Sequence, residues 1–139
     1  MFDVLVLTLL LQVRYQSPSC TVGEGWSFVV QQSSLDNSSL WQEQEDAPRL
    51  APRAAIRSAR ALLARLSCKD ANDWEVSQVG FRRVSPVLKS WLYVVSLQEP
   101  IRVPKGSVVG AVSPRFIEIP VLLDGTAVTP SVGAWPARR

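Results

Sequence analysis

The chain has 139 residues, of which 47% are hydrophobic and 19% charged, and its formal net charge is +3. This balance is typical of a single globular domain over residues 1–139 and is too apolar for intrinsic disorder. There is no histidine, which excludes Ser-His-Asp and Cys-His catalysis and removes the commonest metal ligand. The small net charge, with acidic residues interspersed, argues against nucleic acid as a partner.

The amino-terminal segment allows two interpretations. Val4–Leu11 reads VLVLTLLL, an apolar run too short to span a bilayer, so we expect no transmembrane segment. It is either a buried strand that ends near Tyr15 or the core of an imperfect export signal that precedes Cys20. The lack of Lys or Arg before the run slightly favours the strand and a cytoplasmic protein. Localisation stays open.

Two cysteines, Cys20 and Cys68, are too few for a zinc site, and we expect no metal or cofactor. An exported chain would join them in one disulfide. A cytosolic chain would keep them as small buried hydrophobic side chains. The sequence does not decide between these states.

The first half of the chain predicts two strands and a loop. Phe2–Tyr15 and Trp26–Gln31 are rich in β-branched and aromatic residues, and we expect them to pair antiparallel. Ser33–Asp46 is polar, with turn-forming residues, and predicts a loop that Trp41 anchors to the core.

One main helix is predicted from about Pro52 to Ser67, since proline suits the first turn and alanines follow. Its apolar stripe is expected to comprise Ile56, Ala59, Leu62, Leu63 and Leu66. The cations Arg53, Arg57 and Arg60 lie on another face. They form either a solvated surface or a site for an anionic partner.

The second half predicts a run of strands. Trp74–Val84 changes its alternation near Gln78, which indicates a bulge. Trp91–Gln98 is the clearest strand, and Trp91, Tyr93, Val95 and Leu97 share one of its faces.

Phe116–Leu123 has strand character, and Pro120 within it predicts an edge strand or a bulge. Asp124-Gly125 predicts a two-residue type I′ hairpin turn. Residues from about 131 to 139 are expected to form a tail. Sequential strands beside one helix indicate an α+β fold, with an antiparallel sheet of about four to six strands and the helix packed on one face.

The sequence has no phosphate-binding loop, nucleophile elbow or convergent carboxylate pair, so we expect a protein that is not an enzyme. Five tryptophans are more than this length usually carries. Trp26, Trp74 and Trp91 begin predicted strands and are expected in the core. Trp41 and Trp135 lie in polar or proline-rich segments and are better candidates for an interface.

The stretch from Ala54 to Pro130 resembles short bacterial proteins and PepSY-like domains. The motifs that carry the resemblance are A-x-x-x-A-x-x-L-L on the helix, W-L-Y-V-V-S on a strand and V-L-L-D-G-T at the hairpin. The resemblance implies a helix on an antiparallel sheet and a non-enzymatic binding or inhibitory module. It assigns no functional residues.

Three functional hypotheses remain. The first is a non-catalytic domain that binds a protein or peptide, through an exposed sheet edge near Pro120 or through the arginine face of the helix. The second is a small-ligand carrier with a pocket between helix and sheet, lined by Trp74, Trp91 and Tyr93. The last is a hydrolytic enzyme without histidine. The oligomeric state stays open.

Overall fold

A computed structural model describes residues 12–37, 41, 47–84, 90–101, 106 and 114–135. The described elements are β1 (Gln12–Pro18), β2 (Glu24–Gln31), α1 (Gln32–Asn37), α2 (Pro52–Arg65), β3 (Glu75–Arg83), β4 (Trp91–Gln98), β5 (Phe116–Val121) and β6 (Ser131–Ala134). The α+β class, the antiparallel pairing and the one main helix are confirmed. The strands form two three-stranded sheets, however, in the orders β1-β2-β6 and β3-β4-β5.

The first sheet pairs β1 with β2 antiparallel, as the sequence predicts, with Tyr15 opposite Phe28. Its third strand, β6, lies within the segment that was expected to be a tail, and pairs with the first half of β2. A Thr21–Glu24 turn joins β1 and β2, and Gly23 supplies the positive φ (83°) that its third position requires. Of the strand predicted over Phe2–Tyr15, the part before Gln12 lies outside the described residues.

The predicted loop after β2 begins instead with the short helix α1. Leu35 of α1 is fully buried, and it packs with Val30, Leu92, Val94 and other side chains in a second, smaller core cluster. Burial of one leucine thus stabilises a six-residue helix that contains two serines, an aspartate and an asparagine, which have weak helix propensity.

In the second sheet, β4 is central and its pairing explains the odd alternation of β3. Val76 lies opposite Leu97 and Gln78 lies opposite Ser96, so Ser77 is an extra residue at a bulge. The bulge that the sequence predicts near Gln78 is therefore confirmed.

Strand β5 is the edge of the second sheet, as Pro120 predicts. The Glu118 N–H points away from β4, because it donates to Ser17 Oγ at 3.0 Å. Pro120, two residues on, faces the same way, so its missing N–H costs the sheet no hydrogen bond. This edge is not exposed: Pro120 is buried, and its carbonyl accepts a hydrogen bond from the Val128 N–H.

The two sheets meet where β1 lies beside β5. Ser17 is 1% exposed, and its hydroxyl accepts the Glu118 N–H in place of a backbone carbonyl. The Ser17 side chain therefore takes the place of a backbone hydrogen bond between β1 and β5, which would have joined the two sheets into one.

Helix α2 packs on the second sheet through Ala55, Ala59, Leu62 and Leu63. Ile56 and Leu66, predicted for the same stripe, are partly buried at its margin. The alanines allow the helix to approach closely the fully buried face of β4 and β5, formed by Val95, Leu97, Ile117, Ile119 and Val121.

The helix ends in a Schellman motif, two residues before the predicted end at Ser67. The Cys68 N–H donates to Leu63 O and the Ser67 N–H donates to Ala64 O, while Ser67 takes the left-handed conformation with φ 58°. This geometry turns Cys68 back toward the core.

The hairpin after β5 differs from the predicted type I′ turn. Leu122 O accepts the Gly125 N–H and the Leu122 N–H donates to Thr126 O, which leaves a three-residue connection. Only Gly125 has a positive φ, at 92°, whereas a type I′ turn needs it at Asp124 as well. Asp124 instead accepts the Thr126 N–H through its side chain.

Candidate functional site

The outer face of α2 carries the three arginines that the sequence singles out. Arg53 and Arg57 are exposed. Arg60 is half-buried, and its Nη1 donates to Asn72 O at 3.3 Å. That contact fixes one side of Arg60 and leaves its other donors available.

These arginines form one continuous surface, the α2 arginine face (Arg53, Arg57, Arg60). The spacing of four and three residues keeps them within a narrow arc, roughly opposite the buried alanines and leucines, and spreads them over about 10 Å of helix axis. The sequence Pro52–Arg65 has no carboxylate. The ion pair between Arg115 and Glu99 does not involve this face.

A second cluster joins aromatic side chains from three segments. Phe81 stacks on Trp91 with ring centroids 5.0 Å apart, and Trp41 meets both rings edge-on. Tyr93 follows Phe81 at 5.1 Å, and its hydroxyl donates to Leu50 O at 2.7 Å. These contacts anchor the chain before α2 to the sheet. Trp41 thus packs against the core, although its buried Nε1 has no partner among the described residues.

The structure does not bring Trp74, Trp91 and Tyr93 together around one pocket. Trp91 begins β4, whereas Trp74 precedes Glu75, which pairs with Gln98 at the other end of that strand. At about 3.3 Å per residue, these two tryptophans are roughly 20 Å apart. Tyr93 and Trp74 are each only 3% exposed. All three are mainly core residues.

Trp74 lines a cleft of about 410 Å³ at the end of the molecule where α2 stops. Its walls mix apolar side chains with charged ones, and its lining includes Cys20, Lys69, Trp74, Pro100, Ile101 and Arg115. The ligand-carrier hypothesis stays a prediction. Of the three residues that it named, Trp74 lines this cleft and the other two do not.

Next to the cleft, an ion pair that the sequence analysis missed closes the end of the second sheet. Arg115 donates to both carboxylate oxygens of Glu99, at 2.8 and 3.1 Å, and its backbone carbonyl accepts the Glu99 N–H. The Arg115 hydrogen bonds lower the pKa of Glu99, and the same pair raises the pKa of Arg115. The sequence contained a signal for this pair. Glu99 follows one predicted strand and Arg115 precedes the next, so antiparallel pairing of the two strands brings the opposite charges together.

Arg115 also reaches the other sheet. Its guanidinium donates to the carbonyls of Ser19 and Cys20, each at 3.3 Å. Cys20 is bonded to Cys68, which resolves the cysteine alternatives in favour of a disulfide. The turn after β1 is therefore tied both to the end of α2 and to the start of β5.

Within the described ranges, no three His, Cys, Asp or Glu side chains lie close enough to hold a metal ion. Neither described helix is long and apolar enough to cross a membrane.

Comparison of the chain with protein-family models, with curated proteins and with solved structures finds no match. The resemblance to PepSY-like domains therefore stays a prediction from the motifs alone.

Proposed function

We propose that the protein is a non-catalytic binding domain that holds an acidic segment of a protein partner on the α2 arginine face. The observation that carries the proposal is the concentration of positive charge on one side of α2. Three guanidinium groups share one side of a helix that has no carboxylate of its own. Like charges three and four residues apart repel mildly, so a bound carboxylate relieves a cost that the free helix bears.

Arginine also fits this partner chemistry. Its planar guanidinium pairs with a carboxylate through two parallel hydrogen bonds, which lysine does not do. The face is about 10 Å long and matches acidic residues spaced i, i+4, i+7 on a partner helix. Because α2 is fixed to the sheet by its buried alanines and leucines, the three arginines are presented on a rigid element.

The other surface that the sequence suggested is less suitable. The edge near Pro120 is covered by Val128 and by Ser17, so no partner strand can add there without displacing them. The PepSY-like resemblance, which implies a non-enzymatic binding or inhibitory module, agrees with the proposal without locating the surface.

A peptide-binding assay tests the proposal. The probe is a fluorescent helical peptide of twelve residues with Glu at i, i+4 and i+7, compared with a permutation of the same composition. Wild type should bind the first peptide more tightly. The triple variant Arg53→Ala, Arg57→Ala, Arg60→Ala should lose about tenfold in affinity, since three exposed pairs at roughly 0.5 kcal/mol each sum to about 1.5 kcal/mol.

The matched control removes three exposed cations elsewhere, as Arg14→Ala, Lys69→Ala and Arg82→Ala. It changes the net charge equally and should keep most of the affinity. Equal losses in both triple variants would reduce the effect to general charge attraction and contradict a site on α2. Tighter binding of a DNA duplex than of the peptide would identify phosphate as the ligand and overturn the choice of a protein partner.

A further inference from the structure

The Cys20–Cys68 disulfide joins a surface turn to the end of α2, across a sequence separation of 48 residues. The two cysteine residues differ in exposure. Cys20 is half-buried and lines the cleft beside Trp74, whereas Cys68 is only 8% exposed and packs within the main core cluster. Thiol–disulfide exchange requires direct attack of a thiolate on one sulfur, so Cys20 is the sulfur that a dissolved thiol reaches.

Apart from the disulfide, few contacts hold the turn Ser19–Glu24. The Ser19 N–H donates to Glu24 O, and Ser19 Oγ bonds to the backbone of Thr21. Two long hydrogen bonds from Arg115 reach its first two carbonyls, and the Trp135 N–H donates to Gly23 O at 3.1 Å. Val22, at the tip, is 83% exposed. The turn is therefore a low-stability segment tethered to a stable body.

The body does not depend on the turn. Its main core cluster is formed by side chains of α2, β2, β4 and β5, and residues such as Leu63, Val95 and Ile119 are fully buried. A chain of 139 residues is also long enough to fold without a covalent staple. Opening the disulfide should then free the turn and leave both sheets intact.

We propose that the Cys20–Cys68 disulfide is a redox-sensitive latch on the Ser19–Glu24 turn, opened by a small thiol that enters the cleft and attacks Cys20. The thiolate sulfur forms a bond to Cys20 Sγ as the Cys20–Cys68 bond breaks. Cys68 leaves with the electron pair and takes a proton from water. A second thiol then displaces Cys20 from the mixed disulfide, so the two cysteines are reduced and two thiols are oxidised to one disulfide.

The site of attack is tested by trapping the mixed disulfide on the native protein. The chain is treated with limiting reduced glutathione, free thiols are capped with iodoacetamide, and the peptides are mapped by mass spectrometry. Glutathione should be found on Cys20 and the cap on Cys68. Glutathione on Cys68, or on both equally, would overturn the assignment, as would a bond that is reduced only in denaturant.

Hydrogen exchange tests the latch itself. After full reduction, amides of Ser19–Glu24 should exchange at least about tenfold faster, while those of β4 and β5 keep their rates. The double variant Cys20→Ser, Cys68→Ser should reproduce the reduced pattern without any thiol. Exchange that rises across both sheets, an unchanged turn, or a double variant that does not fold would each refute a local latch.

Discussion

Replacing Ser17 by alanine tests how the two sheets are joined. Ser17 is 1% exposed, and its hydroxyl is the group that accepts the Glu118 N–H at 3.0 Å. The variant loses this hydrogen bond and the one that the hydroxyl donates to Pro18 O, and it leaves the partly buried Glu118 N–H without that acceptor, which together cost about 2 kcal/mol. With an m-value of about 2 kcal/mol/M, the urea midpoint should fall by about 1 M.

The assay is urea unfolding followed by tryptophan fluorescence, with Ser27→Ala as the matched control. Ser27 lies on the outer face of the first sheet, and its hydroxyl makes no hydrogen bond with the described residues. Its loss should change stability by less than about 0.5 kcal/mol. If the two variants unfold at the same urea concentration, the hydroxyl of Ser17 does not join the sheets. Faster exchange of the Glu118 amide should accompany the loss in Ser17→Ala.

Three further changes have defined outcomes. Ser67→Gly should raise the free energy of unfolding by about 1 kcal/mol, because Ser67 holds a left-handed conformation that glycine adopts freely; an unchanged urea midpoint would contradict the helix-end geometry. Gly25→Ala should displace Trp135, because the new Cβ would lie 2.5 Å from its Cε3, and the tryptophan emission should shift to the red. In a protein that already carries Trp135→Phe, the same Gly25→Ala change should cause no shift. Glu99→Gln should destabilise the protein by less than about 1 kcal/mol at pH 7, and by progressively less as the pH falls below the ordinary Glu value of 4.5. The reason is that the pKa of Glu99 is lowered in the folded state, so its contribution is present above the unfolded pKa and is lost as pH falls through the folded value. A difference that does not shrink as the pH is lowered would contradict this ion-pair origin.

Local features of the fold were predictable because short-range chemistry determines them. Helix α2 follows from proline and alanine placement with a periodic apolar stripe, and β4 follows from alternation in an aromatic and β-branched run. The edge position of β5 follows from Pro120, because proline cannot donate to a ladder. The bulge in β3 follows from the change of phase near Gln78.

What the sequence did not reveal depends on contacts between distant residues. The division into two sheets rests on Ser17 meeting Glu118, 101 residues away. Helix α1 rests on Leu35, which is buried by side chains from four other segments. The strand β6 is four residues long and exposed throughout, and apart from Val132 its residues have weak strand propensity, so its pairing with β2 is what places it.

In the candidate site, too, features set by local sequence were predictable and features set by contacts between distant residues were not. The α2 arginine face was predictable, since helical spacing alone aligns its members. The failure of Trp74 to join Trp91 and Tyr93 was not, because it depends on which ends of β3 and β4 lie together. Predicting the ion pair between Glu99 and Arg115 required two facts at once: that β4 and β5 pair antiparallel, and that these two charged residues flank the paired ends.

Amide shifts in an NMR titration of the full chain with the i, i+4, i+7 acidic peptide test most directly whether α2 is the contact surface. Binding on the helix should move the resonances of Arg53, Arg57, Arg60 and the residues between them, and leave β1 and the Trp74 cleft unchanged. Shifts concentrated in the cleft or on the first sheet, with α2 silent, would place the contact elsewhere and contradict the assignment.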